Sequence, residues 1–128
     1  MTARDPSFAI PGRPRRTYPQ RGGVEYEGET VFDLRPTGDP SDDDLEAWVA
    51  DVLASGPYRF GDFLELPMAL YLARDEETTD VFRVAVREGA VRLHVLPETE
   101  SEGLRQFYER LVERSGCEWR VDRRSDFE

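Results

Sequence analysis

Three successive runs of alternating apolar and polar residues, bracketed by two segments of helical period, leave this chain few folds to choose from. Leu66, Met68, Leu70 and Leu72 alternate with Pro67, Ala69, Tyr71 and Ala73. Phe82, Val84 and Val86 alternate with Arg83, Ala85 and Arg87, and Val91, Leu93 and Val95 alternate with Arg92 and His94. Period two over consecutive segments is the signature of an antiparallel sheet with one buried face. The run Asp75-Glu76-Glu77-Thr78-Thr79 reads as a polar turn, and Glu88-Gly89 as a two-residue hairpin whose glycine supplies the unusual backbone angles.

The flanking segments are helical. Leu45, Trp48, Val49, Val52 and Leu53 fall on one helical face over residues 42–55. Ser41 is placed to cap this helix, Asp42, Asp43 and Asp44 suit the positive end of its dipole, and Gly56-Pro57 stops it. Leu104, Phe107, Tyr108, Leu111 and Val112 repeat the spacing; Thr99 with Glu102 reads as a capping box and Gly116 as the terminator. Cys117, Trp119 and Val121 alternate with Glu118, Arg120 and Asp122 as a last strand, with Cys117 read as a core thiol. Residues 24–34 suggest a hairpin around Gly28 and a short, weakly patterned strand. The expected fold class is α+β, a two-layer sandwich. An antiparallel sheet of four to five strands carries two helices on one face, in the order β-α-β-β-β-α-β.

Charge divides the chain. There are 27 acidic residues against 17 basic ones, every basic one an arginine, for a net charge of −10. Residues 1–23 reverse the sign, with Arg4, Arg13, Arg15, Arg16 and Arg21 against Asp5. Rich in proline and glycine, that tail cannot bury enough surface alone to offset its ordering entropy and is expected to be disordered by itself. Phe8, Ile10 and Tyr18 are its apolar handles, for a partner or for its own domain. The domain division is therefore 1–23 tail and 24–128 single acidic domain. GC-rich codon usage accounts for the missing lysine, whereas the acidic excess fits work in concentrated salt, where self-repulsion is screened. No apolar run approaches the roughly 18 residues of a membrane span, and the N-terminus lacks the apolar stretch of a secretory signal. A cytoplasmic protein is expected.

Catalytic chemistry is poorly supplied. His94 and Cys117 are the single histidine and cysteine, no phosphate-binding glycine motif is present, and no cofactor or metal is implied. The Asp42–Asp44 run diverges in direction at a helix start and lacks calcium-loop spacing. One face is less bland. Tyr71, Arg83, Arg87, Arg92, His94 and Arg120 are the strand positions expected to face away from the helices, where arginine forks suit phosphates and carboxylates and Tyr71 suits stacking.

The stretch from Met68 to Val121, with its lysine-free strands, Thr99-Glu100-Ser101-Glu102 helix start and Arg110-Leu111-Val112-Glu113-Arg114 helix end, resembles small uncharacterised proteins of haloarchaea. The strand-helix-strand close also resembles accessory domains of haloarchaeal transcription regulators, here without a helix-turn-helix. The resemblance implies no activity and no site residues. The reading favours a non-enzymatic binding or adaptor domain of a salt-adapted organism. Its tail residues Arg13, Arg15, Arg16, Tyr18 and Arg21 are expected to contact an acidic protein or nucleic-acid partner such as RNA. The alternatives are a small anionic-ligand-binding domain or enzyme using the arginine-bearing sheet face, and an acidic mimic of nucleic acid.

Overall fold

The computed structural model describes residues 8–18, 20, 22–23, 25–62 and 69–126. Its elements, in chain order, are β1 (Arg15–Thr17), β2 (Glu25–Glu27), β3 (Glu29–Pro36), α1 (Asp42–Ser55), β4 (Tyr58–Asp62), β5 (Ala69–Asp75), β6 (Val81–Arg87), β7 (Ala90–Val95), α2 (Ser101–Ser115) and β8 (Trp119–Asp126). Strands β3 to β8 form one antiparallel sheet in the order β4-β5-β6-β7-β3-β8, and β1 pairs with β2 as a separate ribbon. The fold is α+β with both helices on one face, as expected, but the sheet has six strands rather than four to five. The addition is β4, where Tyr58 and Phe60 alternate behind the Gly56-Pro57 break.

The core lies between the sheet and the helices. Phe32 and Leu34 of β3, Phe82, Val84 and Val86 of β6, and Val91, Leu93 and Val95 of β7 face Leu45, Val49, Val52 and Leu53 of α1 and Leu104, Phe107 and Leu111 of α2. Phe107 sets its ring edge-on to both Phe82 and Tyr58, at 5.6 and 5.8 Å between centroids. Among the described residues, no helix is long and apolar enough to cross a membrane.

Helix α1 starts and stops where its pattern does. Ser41 accepts a hydrogen bond from the Asp44 amide at 3.2 Å. Asp42 does more than complement the dipole: its carboxylate accepts from the amides of Glu88 and Gly89, at 3.2 and 2.8 Å, and so ties the helix start to the β6–β7 hairpin. Glu88 and Gly89 both have positive φ, 54° and 75°, as a two-residue hairpin turn of this twist requires.

Helix α2 is capped differently from the expected box. Thr99 does not cap: its hydroxyl accepts from the Leu96 amide at 2.8 Å and donates to the Val81 carbonyl. Asp80, from the β5–β6 turn, takes both roles of a capping box. Its Oδ1 accepts from the Glu100 amide at 3.1 Å and its Oδ2 from the Gly103 amide at 2.7 Å. Glu102 is turned outward to Arg105 and Gln106. The C-terminus conforms, with Gly116 in the left-handed region (φ 68°) and its amide donating to Val112.

In β5 the sides are exchanged relative to the sequence pattern. Tyr71 and Ala73 face the helices, opposite Val84 and Phe82, and Leu72 is 40% exposed on the other face. The reason sits at the strand's end. Asp75 is fully buried, where its Oδ1 accepts from the amides of Glu77 and Thr78 and shapes the turn. Counting back in twos from Asp75 puts Ala73 and Tyr71 inside. Cys117 is also displaced: it lies half-buried in the bend before β8 rather than in the core.

The segment expected to be disordered on its own has described residues that lie on the domain. Phe8 is buried among Phe32 and Tyr108, with ring centroids at 5.2 and 5.4 Å, and Ile10 packs half-buried against the core. Thr30 donates to the Gly12 carbonyl at 2.8 Å, and Arg123 to that of Ala9 at 3.0 Å. Burying a phenylalanine contributes about 1.5–3 kcal/mol, whereas exposed ion pairs contribute about 0–1 kcal/mol each. The ring, not the arginines, dominates the docking.

Candidate anion-binding face

The sheet face away from the helices is set by register. Directly opposed residues share a face, so one row reads Gly61, Leu72, Arg83, His94, Val31, Arg124 across the six strands. The neighbouring rows bring Arg59 opposite Arg74, Arg92 opposite Asp33, and Arg35 opposite Arg120. Arg87 lies on the same face at the end of β6, opposite Ala90. The face therefore carries Arg35, Arg59, Arg74, Arg83, Arg87, Arg92, Arg120 and Arg124 against the acidic positions Glu29, Asp33, Asp122 and Asp126. The helix layer has the opposite balance: α1 holds five acids and no base, and α2 three of each.

Five of the expected face residues stand there: Arg83, Arg87, Arg92, His94 and Arg120. Tyr71 does not, because it belongs to the core, where its ring meets Phe60 edge-on at 6.2 Å. Arg35, Arg59, Arg74 and Arg124 were missed. Arg35, Arg59 and Arg74 lie on β3, β4 and β5, whose phase the sequence left open or reversed, and Arg124 lies in the charged end of β8, past the alternation read over residues 117–122.

Ion pairing on this face is uneven. Asp33, nearly buried, holds Arg124 at 3.0 Å and Arg92 at 3.3 Å. Arg92 Nε is nonetheless buried without an aligned hydrogen-bond partner among the described residues. Arg59 pairs with Glu76 at 2.6 Å, Arg120 with Asp122 at 3.0 Å, and Arg87 with Glu88 at 3.6 Å. Arg74 and Arg83 are exposed and have no ion-pair partner among the described residues. Like charges directly opposed across strands are destabilising, and this face contains two arginine pairs of this kind, Arg59/Arg74 and Arg35/Arg120, beside two acidic ones by register, Asp33/Asp122 and Glu29/Asp126. A chain with 27 acids had abundant means to avoid them.

His94 is half-buried between Arg83 and Val31. Burial pushes its pKa below the ordinary 6.5; Glu29 opposes this, and Arg83, Arg92 and Arg124 reinforce it. It is therefore neutral near pH 7, able to donate or accept one hydrogen bond. No nucleophile pairs with it among the described residues.

Of the described tail residues, Arg13 and Arg16 turn to the domain's own surface. Arg13 donates to the Thr99 carbonyl and to Glu100, both at 2.9 Å, and Arg16 pairs with Glu98. Arg15 lies opposite Glu27 in the β1–β2 ribbon, Tyr18 is 74% exposed, and Arg21 lies outside the described residues.

A second polar cluster was not anticipated. Arg110 donates to the Tyr58 hydroxyl at 2.6 Å, sits 5.3 Å above that ring, and lies 3.8 Å from buried Asp75 and 3.6 Å from Glu77. Burial raises the Tyr58 pKa, so the hydroxyl keeps its proton. Tying α2 to β4 and the β5–β6 turn, the cluster is built as an internal brace. No family model, no curated protein and no solved structure matches this chain.

Proposed function

We propose that the chain is a non-enzymatic binding or adaptor domain that presents the open face of its sheet to an acidic macromolecule. The carrying observation is the pair of opposed arginines Arg59 and Arg74, with Arg83 diagonal to Arg74 and without an ion-pair partner among the described residues, on a chain of net charge −10. Glu76 offsets the charge of Arg59, while Arg74 and Arg83 keep their forks open to an anion. With Tyr71 in the core, the described face offers arginine forks without an aromatic platform. Recognition would then read charge and shape, as on a phosphate backbone or an acidic protein surface, rather than stacked bases. The tail, with Arg13 and Arg16 directed to Glu98 and Glu100, is better suited to holding the domain together than to contacting the partner. An acidic helix layer opposite fits a cytoplasm of concentrated salt, where binding must rest on bidentate geometry rather than long-range attraction.

The test is binding of fluorescent poly-glutamate and of a duplex RNA to the full chain, at about 0.1 M and about 1 M salt, the latter with a Debye length of about 3 Å. Saturable binding of at least one probe, weakened about tenfold or more by Arg74→Glu with Arg83→Glu and unchanged by Arg13→Ala with Arg16→Ala, is the expected result. Binding that follows the tail substitutions, or no binding of either probe, overturns the reading.

A further inference from the structure

At the end of the sheet where β3 and β8 close their ladder, a cleft of about 470 Å³ is lined by Arg35, Pro36, Thr37, Glu118, Trp119 and Arg120. Its two walls follow from the register. Pro36 faces Trp119 on one side of the sheet, and Arg35 faces Arg120 on the other. A cleft wrapped around the end of this ladder therefore has one apolar wall and one cationic wall. The ladder ends with the Thr37 amide donating to the Glu118 carbonyl at 2.9 Å, which fixes both walls relative to one another.

Each wall is pre-set. The indole of Trp119 donates from Nε1 to Ser115 Oγ at 2.9 Å and lies edge-on to Trp48 at 6.2 Å, so its plane is fixed while the ring stays only half-buried. The arginines are held but not used up. Arg35 donates through Nη1 to the Glu88 carbonyl at 3.2 Å, and Arg120 through Nε to Asp122 at 3.0 Å. The remaining forks have no partner among the described residues. An anion between them would relieve a directly opposed like-charge pair.

We infer that this cleft binds a phosphorylated aromatic metabolite of nucleotide size, a nucleoside monophosphate being its simplest form. Its volume lies in the range of small-molecule sites, roughly 300–1,000 Å³. The phosphate meets Arg35 and Arg120, whose planar forks match its oxygens. The ring lies along Pro36 and Trp119, and exposed Thr37 and Glu118 at the lip supply a hydroxyl and a carboxylate for the sugar hydroxyls. A second cleft of similar size, about 410 Å³ between α1 and α2, also contains two arginines. There Arg110 is committed to Tyr58 and Arg114 to Asp51, so it lacks the available forks.

The experiment titrates the full chain with adenosine monophosphate, inorganic phosphate and adenosine separately, following tryptophan emission and heat. Saturable binding of the monophosphate is expected, with the other two probes at least about tenfold weaker. Arg35→Ala and Arg120→Ala should each weaken it by a similar factor. Both side chains reach the surface, and circular dichroism checks that the variants fold. Trp119→Phe should keep the heat and lose most of the emission change. Absence of saturable monophosphate binding to the folded wild type overturns the inference. So does inorganic phosphate or adenosine binding as tightly as the monophosphate, or indifference to both arginine substitutions. Arg74→Glu with Arg83→Glu, which disables the proposed macromolecular contact, should leave monophosphate binding unchanged, so the two readings fail separately.

Discussion

Asp80 Oδ2 accepts a hydrogen bond from the Gly103 amide at 2.7 Å, joining the β5–β6 turn to the first turn of α2. A Cβ on Gly103 would stand 2.2 Å from that oxygen and 2.6 Å from the Asp80 Cβ, so the glycine is required by its neighbour rather than by its own backbone. Gly103→Ala should destabilise the fold by about 1–3 kcal/mol, overriding a helix-propensity gain of about 1 kcal/mol. In an Asp80→Gly background the same change should become neutral or favourable. Urea unfolding of the four proteins of this cycle checks the coupling.

The same carboxyl gives a pH signature. Burial raises the Asp80 pKa above the ordinary 3.8, partly offset by the hydrogen bonds from Gly103, Thr78 and Glu100. The folded state therefore holds this proton more tightly than the unfolded chain. Its contribution to stability falls as pH rises from about 3.8 toward the folded value, then stays level. Asp80→Asn should remove that component, so the difference in urea midpoint between the two proteins should change across this acid window and be flat above it.

His94 reports the open face directly, being the single histidine. Its ring resonances should titrate below 6.5, because burial and the three nearby arginines disfavour the charged form. The unfolded chain then binds the proton more readily, so this group costs stability as pH falls through 6.5. An anion bound across Arg83 and Arg124 should raise the His94 pKa. No upward movement with a saturating acidic probe would place the contact elsewhere.

Arg74→Glu should separate stability from binding. It replaces a like-charge pair with Arg59 by an attractive one, and should stabilise the fold by about 0.2–1 kcal/mol. The same substitution should weaken the acidic partner's binding. A variant that melts higher and binds less is the outcome expected of a face kept for function.

The N-terminal segment offers a magnitude test. Phe8→Ala should cost about 3 kcal/mol or somewhat less at this peripheral site, and Arg13→Ala with Arg16→Ala together under about 2 kcal/mol. Thermal melts of the variants decide which contact dominates.

What was legible in the sequence follows how local each determinant is. Strands β6 and β7 could be read because large apolar residues stand on one side only. In β5 both sides carry apolar residues, and the deciding anchor, Asp75, looked like part of a solvated turn. The α2 cap escaped because Asp80 lies in the preceding turn, while Thr99 and Glu102 imitate a box locally. Phe8 could be read as an apolar handle but not assigned to its own domain, since its pocket is made by β3 and α2 together. The arginine face was half legible: Arg83, Arg87, Arg92, His94 and Arg120 lie within the alternations that could be read, Arg124 lies past the point where the alternation of β8 gives way to a charged end, and Arg35, Arg59 and Arg74 lie on strands without clear phase.

The seating of β3 between β7 and β8 has a kinetic consequence. Its ladder with β8 runs from Glu29↔Asp126 to Pro36↔Trp119, joining residues separated by most of the domain. Contacts this distant in sequence must wait for costly loop closure, so this half of the sheet should form late, after the local hairpins β5–β6 and β6–β7. Until β8 arrives, β3 offers an open edge bearing Val31, Phe32 and Leu34, and the interval before closure is when the chain is most exposed to pairing with its own kind.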